Sequence, residues 1–199
     1  MRIALAGATG VIGRRLAPLL ISAGHDVLGM TRSPARLAEL EAAGVQGRVV
    51  DVYELDELTR VIVGFAPDLV MHQLTDLPDD PAAIEGFTEA NARIRREGTR
   101  NLLTAARAAG SARFLAESVA WRLEGDAGRA VTEMERAVLH VGGVVLRYGR
   151  FHGPGTYHEQ DLPERPRIHI DEAARRTALA IDERSGVIEI VDRATSASG

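Results

Sequence analysis

Short apolar runs alternate with amphipathic segments along the chain, and this pattern predicts alternating β-strands and α-helices. Runs such as RIALA at residues 2–6 are brief and almost entirely apolar, which indicates strands buried on both faces. The segments between these runs have the spacing of helices with one apolar face. The predicted strands are 2–6, 25–31, 48–52, 68–74, 112–118, 144–151, 167–170 and 187–191, and the predicted helices are 11–23, 34–43, 54–64, 82–109, 130–140 and 171–183.

Strand–helix alternation at this spacing predicts an α/β fold, in which a parallel sheet is covered by helices on both faces. Right-handed crossovers give such a sheet a doubly wound strand order. Three segments between the elements are predicted to be loops or breaks: 75–81 is acidic and contains proline, 124–128 is a short break, and 152–167 is rich in proline, histidine and acidic residues. The tail at 193–199 is predicted to fray.

The composition narrows the classes of partner. The 199 residues are 45% hydrophobic and 26% charged, with a formal net charge of −4. Because there is no basic block, neither nucleic acid nor a membrane surface is an expected partner. No apolar run approaches the roughly 20 residues needed to span a bilayer, and MRIALAG at the N-terminus lacks signal-peptide features, so we expect a cytoplasmic protein. The absence of cysteine excludes disulfides, thiolate nucleophiles and cysteine-ligated zinc.

The 24 Lys and Arg residues are all arginine. Schiff-base catalysis by lysine and a P-loop lysine are therefore excluded. A GC-rich genome accounts for this bias without any functional cause.

Three glycines follow the first predicted strand at the spacing G-x-x-G-x-x-G: Gly7, Gly10 and Gly13. Gly7 permits a tight turn, Gly10 lets the backbone approach a pyrophosphate, and Gly13 lets the first helix pack closely on the sheet. The N-terminus of that helix offers N–H groups to phosphates. Incidental glycines in a tight turn are the alternative, but the position between a strand and a helix favours a dinucleotide site. We therefore predict a Rossmann dinucleotide-binding domain at 1–151, with 152–199 as a short substrate-side extension packed on the same domain.

The end of the second predicted strand distinguishes NAD from NADP. Sites that prefer NAD usually place Asp or Glu there, whereas this chain has Arg32 and Ser33, which can bind a 2′-phosphate, with Arg14 placed to assist. This favours NADP, with NAD as the alternative, although Arg32 can also be a solvated surface residue. Asp51, at the end of the third strand, is placed to meet the adenine amino group or to cap the third helix.

With these features the chain resembles the extended and atypical short-chain dehydrogenase/reductases, the NAD-dependent epimerase/dehydratase group. The similar segments run in order along nearly the whole chain, and the first and fourth are specific. They are GATGVIGRRL at 7–16, DLVMHQLTD at 68–76, GTRNLLTAARAAGSARFLAES at 98–118, LRYGRFHGPGT at 146–156 and RIHIDEAARRTALA at 167–180.

The resemblance implies roles for individual residues. It places the cofactor phosphates against the glycine loop, the 2′-phosphate against Arg32 and the catalytic serine at Ser118, with the HGPGT loop at 152–156 near the nicotinamide carboxamide. The residues that it implies as cofactor contacts are Gly7, Thr9, Gly10, Val11, Ile12, Gly13, Arg32, Asp51, Val52, His72, Gln73 and Leu74, the last three on the ribose and nicotinamide side.

The chain departs from this family where the reductases have Tyr-x-x-x-Lys. In the family, the lysine lowers the tyrosine pKa and holds the ribose, and the tyrosine is the general acid/base. The aligned positions here are Ala127 and Val131, and no lysine stands in elsewhere. The segment after Ser118 and the substrate-binding part after the sixth strand are also shorter than is usual in the family.

Three side chains outside that dyad are candidates for catalysis: Ser118 for polarising a carbonyl, and Tyr157 or His152 for supplying a proton. Tyr157 follows GPGT on the loop expected over the nicotinamide, although simple solvent exposure is an equal explanation. His152 is otherwise an exposed loop histidine. The spacing of His152, His158 and His169 matches no standard zinc pattern, so no metal site is predicted.

These features predict an NAD(P)-dependent oxidoreductase or epimerase-like enzyme that acts on a small carbonyl or alcohol substrate. The missing dyad leaves two alternatives, a non-redox isomerase or cyclase on the same fold and a non-catalytic regulatory protein that binds NADP(H). Family members often dimerise through a four-helix contact, which here predicts a homodimer through the helices at 82–109 and 130–140. The arginine cluster at 93–100 is otherwise a solvated helix face.

Overall fold

The computed structural model describes residues 1–78, 80–110 and 113–192. The strands are β1 (Arg2–Ala6), β2 (Asp26–Thr31), β3 (Gln46–Val49), β4 (Leu69–His72), β5 (Arg113–Val119), β6 (Val144–Tyr148), β7 (Arg150–His152), β8 (Arg167–His169) and β9 (Gly186–Ile190). Within the described residues, seven of them form a parallel sheet in the order β3-β2-β1-β4-β5-β6-β9, and β7 and β8 pair in a second, smaller sheet. The predicted α/β doubly wound fold is confirmed.

Helices cover both faces of the large sheet because the strands are apolar on both sides. The helices are α1 (Gly13–Ser22), α2 (Leu37–Ala42), α3 (Leu55–Phe65), α4 (Thr88–Arg93), α5 (Thr99–Ala108), α6 (Gly125–His140) and α7 (Ile170–Ala180). Along β1, Ile3 and Leu5 pack into one cluster with α1, α2 and α7. Ala4 and Ala6 pack into the other with α3, α5 and α6.

A crevice is expected beside β1, where successive strands stop being added on one side of the sheet and start being added on the other. From β1 the chain runs to β2 and β3 on one side and then returns to β4 on the other side of β1. Just after β4, the N–H of Gln73 donates a hydrogen bond to Ala6 O at 2.9 Å, which joins the carboxyl ends of β1 and β4. In doubly wound sheets, ligands bind at the carboxyl ends of the strands at this switch point.

The predicted long helix at 82–109 is helical without a gap from 81 to 108, but its hydrogen-bond pattern changes along its length. A 3₁₀ segment at Pro81–Phe87 comes first, and a π-helical turn at Ile94–Gly98 separates α4 from α5. Such turns interrupt the regular hydrogen-bond ladder and are common at functional sites. In this one Arg95 is buried, with 3% of its surface exposed. Apolar periodicity does not record this change of pitch.

Two other predicted boundaries are wrong, and both of the observed boundaries fall at a glycine. The sequence predicts a break at 124–128, but α6 already begins at Gly125, and Asp126 in its first turn is bound by Arg96. The predicted strand 144–151 divides at Gly149, whose N–H donates to Ile190 O at 3.0 Å. A Cβ at Gly149 would lie 2.7 Å from the backbone of Arg167, so the chain requires glycine where it leaves β6 for β7.

Within the predicted extension at 152–199, the described residues 152–192 share the large sheet with the rest of the chain, and the tail at 193–199, predicted to fray, lies outside the described residues. Strand β9 of the extension pairs in parallel with β6, and its helix α7 packs on α1. The loop and the small β7–β8 sheet therefore lie on the same structural unit as the glycine loop. No helix in the described part of the chain is long and apolar enough to cross a membrane.

Candidate functional site

The glycine loop between β1 and α1 has no room for side chains at two of its three glycines. Gly7 has φ +88°, and a Cβ there would lie 2.3 Å from Gln73 O. A Cβ at Gly13 would lie 2.1 Å from Gly7 O, so α1 approaches the loop backbone closely only because this residue is glycine. At Gly10 the nearest atom to a built Cβ is Gly7 O at 3.2 Å, so this position is more open.

The start of α1 offers backbone donors beside this loop. The N–H of Gly10 donates to Gly7 O and the N–H of Arg14 donates to Gly10 O, both at 3.0 Å. Among the described residues, no backbone acceptor engages the N–H groups of Val11, Ile12 and Gly13. Unpaired N–H groups at a helix N-terminus bind phosphate and other anions. The geometry thus fits the pyrophosphate of a dinucleotide.

Arg15 links the glycine loop to α7 and to the HGPGT loop. Its Nη1 donates to Val11 O at 2.9 Å, and its Nε donates to Asp171 Oδ1 on α7 at 2.7 Å. Its Nη2 donates to Pro154 O on the HGPGT loop. The Arg14 guanidinium also borders this loop, because a Cβ at Gly155 would lie 3.3 Å from it.

At the carboxyl end of β2, Arg32 is half-exposed and forms an ion pair with Asp76, whose Oδ1 lies 2.6 Å from Arg32 Nη2. Ser33 lies beside it, with its N–H donating to Thr31 Oγ1 at 3.2 Å. The Asp51 carboxylate accepts the N–H of Tyr53 at 2.9 Å. Asp51 therefore stabilises the turn after β3 and forms no side-chain cap of α3, whose N-cap is Glu54.

Val52 is buried, and its carbonyl accepts a hydrogen bond from Asn101 at 3.0 Å. Three further predicted cofactor contacts, at 72–74, lie at the carboxyl end of β4, and they differ in exposure. His72 is fully buried, and its Nδ1 accepts the N–H of Leu74 at 3.2 Å. Gln73 is also buried, and its side chain accepts a hydrogen bond from Tyr148 at 3.3 Å. Leu74 alone of the three is partly exposed, so the geometry favours Leu74 as a cofactor contact.

Each of the three predicted catalytic side chains contacts a different partner. Ser118 is completely buried and its Oγ donates to Glu135 Oε1 at 2.6 Å, away from solvent. Tyr157 is 37% exposed, and its hydroxyl donates to the carbonyl of Pro78 in the loop after β4. His152 lies on β7 with Nε2 3.5 Å from Asp192 Oδ2. Their catalytic roles stay predictions, and the structure presents Tyr157 to solvent but not Ser118.

Sequence reasoning missed a buried polar cluster behind this edge of the sheet. Arg95 on the π-helical turn lies 3.6 Å from Glu117 on β5, and both are buried. Burial raises the pKa of Glu117 above its ordinary value, although Arg95 opposes this shift. The available signal was a carboxylate inside the apolar strand sequence FLAESV.

A second carboxylate, Glu135 on α6, lies beside Ser118. Arg147 donates to both of its oxygens, at 2.9 and 2.6 Å. Burial acts to raise the pKa of Glu135, but the hydrogen bonds from Arg147 and Ser118 outweigh it and hold this pKa below its ordinary value. Glu135 is therefore charged at neutral pH.

The positions of the missing dyad lie on α6, where Ala127 and Val131 occupy its first two turns. Neither side chain can transfer a proton. The connection from β5 to α6 is short, at 120–124. No group of three or more His, Asp or Glu side chains suited to a metal ion occurs among the described residues.

Comparison with known proteins identifies relatives of this architecture. The model of the NAD dependent epimerase/dehydratase family matches residues 3–120. A 3-diazoavenalumate denitrifying reductase from Streptomyces sp is 34% identical over 238 residues, covering 96% of this chain and 76% of the relative. Because that alignment is longer than the 199-residue chain, the relative carries segments without a counterpart here.

Solved structures share the fold at low identity. The UDP-glucose 4-epimerase of Thermotoga maritima, solved with UDP-glucose, superposes with a TM-score of 0.78 at 16% identity, covering 96% of this chain and 77% of its own. The UDP-glucose 4-epimerase of Thermus thermophilus, solved with NAD, gives 0.78 at 19% identity, with coverages of 96% and 78%. These structures support the fold alone, whereas the family match and the reductase relative support an oxidoreductase or epimerase-like function. Because the family model matches residues 3–120 and the chain is 34% identical to the reductase, the chain belongs to the NAD dependent epimerase/dehydratase family.

Proposed function

We propose that this protein is a reductase that binds a nicotinamide dinucleotide, NADP(H) in preference to NAD(H), in the crevice beside the glycine loop. The observation that carries the proposal is the cradle at Gly7 and Gly13, where a Cβ would overlap backbone atoms. Beside it, the N–H groups of Val11, Ile12 and Gly13 meet no backbone acceptor within the described part of the chain. When bound there, the reduced dinucleotide supplies a hydride. The reductase relative at 34% identity supports this direction of reaction.

Several residues of this chain would hold the dinucleotide. The N–H groups of Val11, Ile12 and Gly13 suit the pyrophosphate, and Arg14 adds a positive charge at the same helix end. Arg32, half-exposed after β2, is the cation best placed for a 2′-phosphate. This placement favours NADP.

The missing Tyr-x-x-x-Lys dyad constrains the substrate. Reduction of a carbonyl places negative charge on oxygen, and loss of a positioned general acid typically costs about 10²–10⁴-fold in rate. Ala127 and Val131 supply no acid. A substrate whose reduction needs no proton from the enzyme therefore fits this chain better than a carbonyl.

An aryl diazonium compound is such a substrate, and the name of the Streptomyces relative identifies a diazo compound that loses nitrogen. The aryl diazonium ion reacts as an aryl cation would, and it accepts a hydride at the ring carbon that carries the nitrogen. The C–N bond breaks as the C–H bond forms, N₂ leaves with the bonding electrons, and the dinucleotide is oxidised by two electrons. No proton enters this balance, so the absence of the dyad carries no penalty.

Deuterium labelling tests this proposal directly. Purified protein is mixed with NADPH deuterated at the transferable position and an aryl diazonium carboxylate, against a reaction without protein. We expect protein-dependent loss of NADPH absorbance, release of N₂, and deuterium at the former C–N carbon. Tight nucleotide binding without turnover of diazonium or carbonyl compounds would instead support a non-redox enzyme or an NADP(H)-binding regulator. Failure of NADPH and NADH to bind would reject the proposal.

Carbonyl reduction is the second candidate, because Tyr157 is exposed on the loop that meets Pro78. Its hydroxyl, or His152 on the same segment, would then supply the proton. Tyr157→Phe separates the two candidates. Carbonyl turnover should fall by about 10²-fold or more if the hydroxyl is the acid, whereas diazonium turnover should stay within a few-fold of wild type.

A homodimer through α4, α5 and α6 belongs to the same proposal. A groove of about 770 Å³ lies between α5 and α6, lined by apolar residues such as Leu103 and by arginines such as Arg100 and Arg107. Val141, at the end of α6, is 53% exposed and also lines it. Light scattering should give twice the 21.4 kDa chain mass, and Leu103→Glu should return the mass to that of one chain.

A further inference from the structure

The ion pair between Arg32 and Asp76 joins the two sides of the crevice. Arg32 directly follows β2 and Asp76 lies in the loop after β4, so β1 and its glycine loop lie between them in the sheet order. Thr9 of the glycine loop has its Oγ1 3.2 Å from Thr31 Oγ1 at the end of β2. A dinucleotide held at the glycine loop therefore meets this ion pair with its adenosine half.

Asp76 is the fixed member of the pair. Its Oδ2 accepts the Tyr53 hydroxyl at 3.2 Å, and its N–H donates to Asn91 Oδ1 at 3.3 Å. Its side chain is 16% exposed, against 52% for that of Arg32. Burial and the neighbouring Asp76 raise the pKa of Tyr53 to about 12, so the hydroxyl keeps its proton and remains a donor.

Tyr53 is itself held in place by α4. The Arg93 guanidinium lies 3.8 Å from the centre of the Tyr53 ring, and Arg93 Nε donates to Glu97 at 2.7 Å. A cation over an aromatic face fixes the ring further. Tyr53 thus holds the Asp76 carboxylate and Asn91 on α4 holds the Asp76 backbone, whereas the guanidinium of Arg32 lies at the end of a long, exposed side chain that can turn to a ligand.

The two members of the pair favour different dinucleotides. A 2′-phosphate carries close to two negative charges, so it is attracted by Arg32 and repelled by Asp76. The free 2′-hydroxyl of NAD can instead donate a hydrogen bond to a carboxylate at this end of the crevice. The Asp76 carboxylate lies 2.6 Å from the Arg32 guanidinium and compensates its positive charge. That charge is the one expected to bind the 2′-phosphate of NADP.

We propose that Asp76 sets the balance between NADP and NAD, because it holds Arg32 in an ion pair and places a fixed negative charge where the 2′-phosphate binds. This inference rests on the proposed function, namely that the crevice binds a nicotinamide dinucleotide. When a 2′-phosphate binds, Arg32 forms its ion pair with the phosphate instead of with Asp76, and Asp76 keeps its hydrogen bond from Tyr53. The carboxylate therefore limits a preference for NADP that Arg32 alone would make stronger.

Binding of the adenosine half alone tests this inference without any turnover. Wild type and Asp76→Asn are titrated calorimetrically with adenosine 2′,5′-bisphosphate and adenosine 5′-monophosphate, which differ only in the 2′-phosphate, and then with NADPH and NADH. Asp76→Asn keeps the size of the side chain and an acceptor for Tyr53. We expect the affinity for the bisphosphate and NADPH to rise by roughly tenfold, and that for the monophosphate and NADH to stay the same or fall slightly.

Matched variants identify the origin of the change. Asp26→Asn removes the same charge from the Arg2–Asp26 pair at the opposite end of β2, and it should leave the ratio of affinities unchanged. In an Arg32→Gln background, Asp76→Asn should keep only the smaller part of its gain, the part that comes from removing the repulsion of the 2′-phosphate, because no cation remains to be released. Asp76→Ser should act in the same direction as Asp76→Asn, and thermal melts confirm that each variant is folded.

The outcomes separate this inference from the proposed function. If wild type binds none of the four nucleotides, the proposed function fails. If wild type binds them and Asp76→Asn leaves the ratio within about twofold, or weakens the 2′-phosphorylated ligands, the role of Asp76 is rejected. A gain that persists at full size in the Arg32→Gln background also rejects it, since the effect would then be independent of the ion pair.

Discussion

Ser118 donates a 2.6 Å hydrogen bond from its Oγ to Glu135 Oε1, and this contact lies inside the protein. Glu135 in turn binds Arg147 through both oxygens. The serine that resemblance places in catalysis therefore links β5 to α6. A hydrogen bond to a charged group contributes about 1.5–3 kcal/mol to stability, and its loss leaves Glu135 one donor short.

We expect Ser118→Ala to lower the free energy of unfolding by about 1–3 kcal/mol while turnover stays within tenfold of wild type. Urea denaturation and steady-state kinetics measure the two effects. Thr132→Ala on α6 is the matched control, because it removes an exposed hydroxyl that donates to Gly128 O at 2.9 Å. A loss of turnover of about 10²-fold or more with unchanged stability would show that Ser118 acts in catalysis instead.

Gly10→Ala and Gly13→Ala should fail in different ways. At Gly10 a Cβ would meet only Gly7 O at 3.2 Å, so the fold tolerates alanine, but the methyl group occupies the space of a pyrophosphate. At Gly13 a Cβ would lie 2.1 Å from Gly7 O, so the loop itself must move.

We therefore expect Gly10→Ala to weaken NADPH and NADH binding by roughly tenfold or more at nearly unchanged thermal stability. Gly13→Ala should lower stability by several kcal/mol, on the order of other overpacked sites. Calorimetric titration and thermal melts separate the two results. Full nucleotide affinity in Gly10→Ala would contradict phosphate binding at this loop.

The features that depend on neighbouring residues in the chain were predictable from sequence. Gly7, Gly10 and Gly13 have one spacing and one local context, so the turn and the helix follow together, and the phosphate site stays a prediction from the same pattern. The strand–helix alternation similarly predicted the parallel sheet, because burial on both faces requires continuous apolar runs.

The features that depend on distant contacts were not predictable. Arg95 is buried on a π-helical turn, 3.6 Å from Glu117 on β5, and neither the turn nor this neighbour is visible in the local sequence. Asp76 forms its ion pair with Arg32 across 44 positions of sequence, and no local pattern links them. Ser118 fitted a family position, but the direction of its side chain is decided by its bond to Glu135 on α6.

Arg15→Gln tests whether the HGPGT loop and the glycine loop form one binding surface. Arg15 contacts Val11, Pro154 and Asp171 through separate nitrogens, and glutamine cannot reach all three. Loss of these hydrogen bonds, each worth about 1 kcal/mol, would loosen the HGPGT loop from the glycine loop. We therefore expect nucleotide affinity to fall by roughly tenfold and proteolysis at 153–162 to accelerate. Arg36→Gln, which breaks only the exposed pair with Glu39, is the control. Equal behaviour of the two variants would rule out this function of Arg15.

His72 gives the protein a predictable acid sensitivity. Complete burial, with a smaller contribution from Arg95, lowers the pKa of His72 from 6.5 to about 3, so the imidazole is neutral in the folded protein. Its Nδ1 accepts the N–H of Leu74 and therefore carries no proton. The unfolded chain takes up a proton below pH 6.5 that the folded chain does not accept until about pH 3.

The stability contributed by the neutral form is thus complete above the unfolded pKa and is lost as pH falls from about 6.5 towards about 3. In His72→Asn, the Oδ1 atom can accept the same N–H but does not titrate. We expect the unfolding free energy of wild type to fall more steeply across this window, by up to about 1.4 kcal/mol per pH unit relative to the variant. Urea denaturation at a series of pH values measures both curves. Parallel curves would mean that His72 becomes protonated in the folded protein as readily as in the unfolded chain, which is incompatible with a fully buried, neutral imidazole.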